Sequence, residues 1–161
     1  MPDNNSLDSI KETTISTNRI YEGRIINVRE DTVELPNGKT AKREVIEHSS
    51  AVCIVPVDEN GNVLLVRQFR IPTGGPLLEV PAGGVEDGEV SEEAVLRELQ
   101  EEIGYGAKSI QHLKSLTIAP GHMGFTIDVL LATELYVATL EGDEPEPPEL
   151  VTWPVDSIDE L

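Results

Sequence analysis

The order of apolar and polar positions divides the chain into short strands, one amphipathic helix and more strands. From Ile20 the pattern is strand-like. Arg24–Leu35 and Lys39–Glu47 are β-rich runs separated by Pro36-Asn37-Gly38, a strong hairpin signal. Ala51–Val57 and Val63–Phe69 are apolar runs joined by Asp58-Glu59-Asn60-Gly61-Asn62, a second hairpin. Leu77–Val80 reads as a short strand leading into the glycine-rich stretch Pro81–Gly88. The period then changes. Ser91 stands at an N-cap position, Glu92 and Glu93 occupy a first turn where the helix dipole favours acids, and Gly104 suits a left-handed stop after Ile103. Val95, Leu99 and Ile103 recur every four residues with Leu96 beside them, which predicts the buried stripe. Ile110–Ile118, Phe125–Ala132 and Leu150–Trp153 are further strand candidates, with a loop at Pro120-Gly121. Glu141–Glu149 is acidic and proline-rich and reads as an exposed loop. Asp156–Leu161 is about one turn of a last helix. The order suits a sheet-rich α+β or α/β domain around one strong helix.

At 161 residues the chain is long enough for one ordinary core. Residues 1–18 are expected as a flexible N-terminal arm, 19–48 as a β-hairpin, and 49–161 as the main domain. Met1–Asn18 is polar and lacks the apolar region of a secretory signal. No run of about 18 apolar residues predicts a membrane span. The lone cysteine, Cys53, sits in an apolar run, as an inert core thiol would, which suits a reducing, cytoplasmic setting. The net charge of −18 argues against nucleic acid as the main partner. It also means that an anionic phosphate ligand needs local compensation, most simply from bound cations. Plain solubility is the competing explanation of that charge.

On the predicted helix Glu98 lies three residues from Glu101 and four from Glu102, so the three side chains converge on one face. Arg97 can pair with Glu93 or Glu101, but one cation cannot neutralise the group. Such a run is either a solvated helix face or a site for hard divalent cations, which prefer carboxylate, carbonyl and water oxygens.

The flanking sequence decides between them. Gly83, five residues, Glu89, seven residues, then Arg97-Glu98-Leu99-x-Glu101-Glu102-x-Gly104 resembles the Nudix box at every literal position of residues 83–105. Seven literal matches arise by chance with a probability on the order of 10⁻⁸ per frame. The final position, usually aliphatic, is Tyr105, for which a packing change is expected rather than a loss of chemistry. Val66-Arg67-Gln68-Phe69-Arg70 and Leu78-Glu79-Val80-Pro81-Ala82-Gly83 resemble the ADP-ribose and ADP-sugar pyrophosphatase branch. Leu116–Pro120, Leu140–Pro147 and Trp153-Pro154 look most like the bacterial ADP compounds hydrolases.

The resemblance implies a Nudix fold: an α+β (α/β/α) sandwich with a mixed β-sheet, a catalytic helix after a glycine-rich loop, and an N-terminal antiparallel hairpin that forms a homodimer. It implies Mg²⁺ as cofactor, with Mn²⁺ as the alternative. Glu98 and Glu102 would be the principal ligands, Glu101 a further ligand or base, and the carbonyl of Ala82 would complete the set. Arg97 would orient the glutamates, Glu89 would do the same or reach a metal through water, and Gly83 with Gly84 would allow a tight turn. Arg70 is a candidate clamp for the diphosphate because its planar fork matches phosphate oxygens. An ordinary strand-end arginine is its competing reading. Arg43 and Glu79 are candidates for substrate contacts or for purely structural roles.

Phe125 stands where many ADP-ribose pyrophosphatases carry a general-base glutamate, which leaves Glu101, a metal-activated water or His122 as the proton acceptor. Tyr21 could stack on a base or pack on a strand face. The implied activity is hydrolysis of ADP-ribose or related ADP-sugars to AMP and a sugar phosphate. The alternatives are a broader hydrolase of NADH and diadenosine polyphosphates and a non-catalytic nucleotide sensor. Removal of RNA caps is disfavoured by the acidic charge.

Overall fold

The computed structural model describes residues 9–142 and 146–161. The chain divides into two compact units, one of residues 1–49 and 117–125, the other of residues 50–116 and 126–161.

The first unit is an antiparallel sheet of β1 (Thr13–Glu22), β2 (Asn27–Glu34) and β3 (Thr40–Glu47), in that order. The turn between β2 and β3 is closed by Gly38, whose φ of +76° suits a residue without Cβ, and by the Gly38 N–H donating to the Leu35 carbonyl. The hairpin read from Pro36-Asn37-Gly38 is therefore present, with Glu34 opposite Thr40. The segment expected as a flexible arm behaves differently from Thr13 onward, where it is β1 paired along β2. Polar β-branched residues supply the strand propensity there, but every position of β1 is exposed, so no alternation announces it. The sheet is held largely by polar contacts. The buried Asp31 accepts from Thr17 Oγ1 (2.8 Å) and Arg29 Nε (3.1 Å), and Glu47 pairs with both Arg19 and Arg29.

The second unit holds β4 (Ala51–Pro56), β5 (Asn62–Arg70), β6 (Gly75–Glu79), β7 (Ala82–Gly84), α1 (Ser91–Glu102), all but the ends of β8 (Tyr105–Ile118) and β9 (Phe125–Val137), and β10 (Glu149–Pro154). The strands form a mixed four-stranded sheet ordered β7-β4-β9-β8 and an antiparallel three-stranded sheet ordered β10-β5-β6. The mixed character comes from β4 and β9, which run parallel with Val52 opposite Asp128. The α+β class holds. Of the helical layers expected, the described residues supply one α-helix, α1, and the 3₁₀ segments Ile71–Thr73 and Val155–Glu160. None of their helices is long and apolar enough to cross a membrane.

The core lies where α1 covers the strands. Val95, Leu99 and Ile103 are buried as the stripe predicts, with Ala94 added, against Val52 and Ile54 of β4, Val66 of β5 and Leu130 of β9. Tyr105 packs half-buried against this core, a packing accommodation of the unusual last position of the box. The helix starts one residue earlier than its composition suggests. Val90 is the N-cap, and the Glu93 carboxylate accepts its N–H (3.3 Å). Ser91 is released from capping and donates instead to Asp128 of β9 (2.8 Å). Hydrogen bonds from Ser115 and Ser91 hold the Asp128 carboxyl below the usual carboxylate range.

Leu99→Ala should lower stability by about 3 kcal/mol in urea denaturation, because Leu99 is fully buried and its neighbours cannot collapse onto the void. The exposed Leu113→Ala should stay within about 0.5 kcal/mol of the parent.

Candidate active site

Glycine-rich loop and helix meet at one point. A Cβ placed on Gly83 would lie 1.9 Å from the carboxylate carbon of Glu98, so a side chain at 83 would push that carboxylate from its place. The consequence is that Glu98, a charged residue on the helix, is only 8% exposed. Gly104, with φ +73°, follows the C-cap Ile103 and stops the helix just after Glu102.

Arg97 organises the group. Its Nε and Nη2 donate to the two carboxylate oxygens of Glu89 (3.1 Å each), a bidentate fork. Its Nη1 reaches Glu98 (2.6 Å) and Glu101 (3.2 Å), and Nη2 also donates to the Gly84 carbonyl (2.8 Å). The same fork lowers the Glu89 pKa, and the surrounding acids raise that of Arg97, so both stay charged. Glu89 also accepts the Glu86 N–H (2.9 Å), which ties the loop to this pair.

Glu102 accepts the Ala82 N–H (3.2 Å). Burial, and then the charge of Glu98, push its pKa up to about 7. Among the described residues no three carboxylate, imidazole or thiol groups already converge on a common point. Arg97 engages Glu98 and Glu101, while Glu102 is held by the Ala82 N–H. The donor set nevertheless suits a hard divalent cation. It consists of oxygen ligands on one helix face, and a carboxyl that keeps its proton through burial and then a neighbouring negative charge is one whose ionised form a cation would favour.

These glutamates line a cleft of about 680 Å³, a size usual for small-molecule sites. Arg70, at the end of β5, lines it as well and is held by Glu79, which accepts from Arg70 Nε (2.9 Å) and from Gln68 Nε2 (3.0 Å). The opposite wall is the loop after β9, including Leu140, Glu141, Glu146 and Pro147. That loop begins against the end of the helix, with Ala138 N–H donating to the carbonyl of Gly104 just past it (3.0 Å) and Leu140 N–H to that of Gln100 in its last turn (3.1 Å).

Glu98, Glu101, Glu102, Arg97, Glu89, Ala82, Gly83, Arg70 and Glu79 thus all belong to one neighbourhood of the second unit. Arg43, offered as a substrate contact, belongs to the first unit, where its guanidinium is engaged by Glu12 (2.6 and 2.9 Å). His122 and Phe125 are in that unit too. The His122 carbonyl accepts the Ile46 N–H, and Phe125 packs on the His48 ring at 4.5 Å. Sequence reasoning missed Phe69, Leu140, Glu141, Glu146 and Pro147 as lining residues. The available signal was the interleaving of proline with the loop glutamates, which restricts a segment that would otherwise be only solvated.

Comparison with known proteins agrees with this geometry. The family model described as NUDIX domain matches residues 47–161, and one described as nucleoside diphosphate sugar hydrolase N-terminal domain matches residues 12–46. An ADP-ribose pyrophosphatase of Bacillus subtilis is 40% identical over 131 residues, covering 81% of this chain and 71% of the relative. An ADP compounds hydrolase of Escherichia coli is 33% identical over 147 residues, covering 90% and 78%. A crystal structure of an ADP compounds hydrolase superposes with a TM-score of 0.86 at 32% identity, covering 94% of this chain and 84% of the other.

The raised pKa of Glu102 has a thermodynamic signature. Between about 4.5, its ordinary value, and about 7, the unfolded chain has lost the Glu102 proton while the folded chain keeps it. Stability from this group therefore falls as pH rises through that window. Without divalent cations, Glu102→Gln should melt progressively higher relative to the parent from about pH 4.5 to about pH 8, read by differential scanning fluorimetry. A difference that stays flat would contradict the burial and charge assigned to Glu102.

Proposed function

The chain belongs to the Nudix family of hydrolases, and on that premise we propose that it cleaves the phosphoanhydride bond of ADP-ribose or a related ADP-sugar, giving AMP and a sugar phosphate. The observation that carries the reading is the trio Glu98, Glu101 and Glu102 in one cleft with Arg70. The pyrophosphatase and ADP compounds hydrolase named above support the substrate class.

Glu98, Glu102 and Glu101 would hold Mg²⁺, with the Ala82 backbone beside them, and Mn²⁺ is the alternative. When bound, the cation neutralises diphosphate charge and polarises the phosphoryl group. The protein's own part is positional. Gly83 yields the space that Glu98 fills, Glu89 fixes the plane of the Arg97 guanidinium, and Arg97 in turn orients Glu98 and Glu101. Arg70, anchored by Glu79, presents its fork to the diphosphate oxygens. A water adds to one phosphorus, and the bridging oxygen departs with the other phosphate. The proton from that water passes to a cleft carboxylate, for which Glu101, Glu141 and Glu146 are the candidates.

A homodimer is part of the same proposal. It is supported by β1, an edge strand that exposes Ile15, Ile20 and Tyr21, since an unpaired apolar edge invites a second chain. We place the enzyme in the cytoplasm, where ADP-sugars and reduced thiols such as Cys53 belong.

Product analysis with ADP-ribose, NADH and diadenosine triphosphate, with and without Mg²⁺, tests the activity. Mg²⁺-dependent AMP release, fastest from ADP-ribose, is expected. Faster release from NADH or the dinucleotide would select the broader hydrolase, and binding without release would select a sensor. Glu98→Gln should keep its circular dichroism and lose activity by at least about a hundredfold. Unfolding in place of selective inactivation would remove Glu98 from the metal site.

Among Glu101→Gln, Glu141→Gln and Glu146→Gln, the residue that takes the proton should show a kcat loss of about 100-fold or more together with loss of the acid limb of the kcat profile. Small, equal losses in all three would place the proton acceptor elsewhere.

A further inference from the structure

Ser91 and Glu98 stand seven residues apart on α1. Seven residues fall about 20° short of two full turns, so both side chains point to the same side of the helix. Ala94 and Val95, the residues between them on that side, are fully buried. The stripe that meets the sheet therefore has a polar residue at either end, a hydroxyl at Ser91 and a carboxylate at Glu98.

The sheet offers a matching pair of places. Val52 of β4 is opposite Gly83 of β7 and also opposite Asp128 of β9, so the three stand in one row across neighbouring strands. Val52 belongs to the core that α1 covers. At one end of the row Gly83 leaves the space that Glu98 fills, and at the other Asp128 accepts from the Ser91 hydroxyl (2.8 Å). The two spans agree. Two strand spacings measure about 9.6 Å, and seven residues advance a helix by about 10.5 Å. Between these residues α1 runs across the strands, with one polar contact at each end of the row.

Asp128 is itself braced from the next strand. Ser115 of β8 donates to its other carboxylate oxygen (2.5 Å), and His112 Nε2 lies 3.1 Å from the Ser115 hydroxyl. An ionised acceptor gives a short, strong and directional bond. Apolar burial has no direction, so Ala94 and Val95 choose which face of α1 meets the sheet. They restrain a slide along the axis less sharply than the Ser91 hydrogen bond does.

We propose that the Ser91–Asp128 hydrogen bond sets the axial position of α1 on the sheet and thereby places Glu98 at Gly83 in the position that receives the cation. The inference rests on the reading of the helix glutamates as a metal site and adds Ser91 and Asp128 as positioning residues. Neither lines the cleft, so they act through the helix alone. Ligand sets tolerate errors of about 0.5 Å, which is why an anchor seven residues away matters to them. A bond that merely stabilised the helix start would change melting and leave cation affinity alone.

The test is titration of the full chain with Mn²⁺ alone, by isothermal titration calorimetry, beside thermal melting without metal. Ser91→Ala should weaken Mn²⁺ roughly tenfold with Tm within about 3 °C of the parent, since alanine suits a helix. Ser91→Thr keeps the hydroxyl and should bind within about twofold of the parent. Glu93→Ala removes the Val90 cap contact instead. It should lower Tm and leave Mn²⁺ affinity within about twofold. Asp128→Ala should weaken Mn²⁺ at least as much as Ser91→Ala, and the double variant no further than Asp128→Ala alone. Unchanged affinity in Ser91→Ala, no recovery in Ser91→Thr, equal weakening in Glu93→Ala, or additive losses in the double variant would each overturn the assignment. A parent that binds no Mn²⁺ removes the metal reading and this inference with it. A parent that binds Mn²⁺ no better than Ser91→Ala removes the inference alone.

Discussion

The site depends on a space left empty by Gly83 and filled by Glu98. A side chain at 83 would overlap that carboxylate, so Glu98 keeps this position only because Gly83 has no Cβ. That position buries a charge, and a buried charge must be compensated. Much of what surrounds Glu98 can be understood as that compensation.

Arg97 provides most of it. A guanidinium has several donors in one rigid plane, and here they are spent on Glu89, Glu98, Glu101 and the Gly84 carbonyl. A lysine could match the charge but not the geometry. The arrangement still leaves one carboxyl, Glu102, without a cationic partner close enough to outweigh its burial and the charge of Glu98, and it holds its proton to about pH 7. The helix face is therefore short of positive charge by design of its spacing. That shortage is a standing attraction for a divalent cation.

Legibility in the sequence followed the physical signal. The helix was readable to within a residue because its apolar stripe, acidic first turn and terminal glycine agree. Its glutamates were readable because their spacing with Gly83 and Glu89 is too specific for a solvated face. Ser91 was misplaced as the cap because a serine at a helix start usually caps, and only tertiary structure shows Asp128 as its partner. β1 was hidden because both of its faces are exposed and a strand with no buried face has no period. The loop glutamates Glu141 and Glu146 were hidden for the opposite reason: a run of acids looks solvated until the chain is seen folding back over the helix. Arg43 illustrates a different limit, since a basic residue on a strand gives no hint that a glutamate 31 positions earlier has claimed it.

The loop after β9 starts at the end of the helix, with Ala138 donating to the Gly104 carbonyl and Leu140 to that of Gln100. The Gln100 carbonyl lies in the last turn of the helix and needs an outside donor. The first residues of the loop are thereby tied to the element that carries the glutamates, and Gly142 keeps that contact by packing on Glu101. Loosening that tie would shift Glu141, and with it one side of the cleft, relative to the helix glutamates.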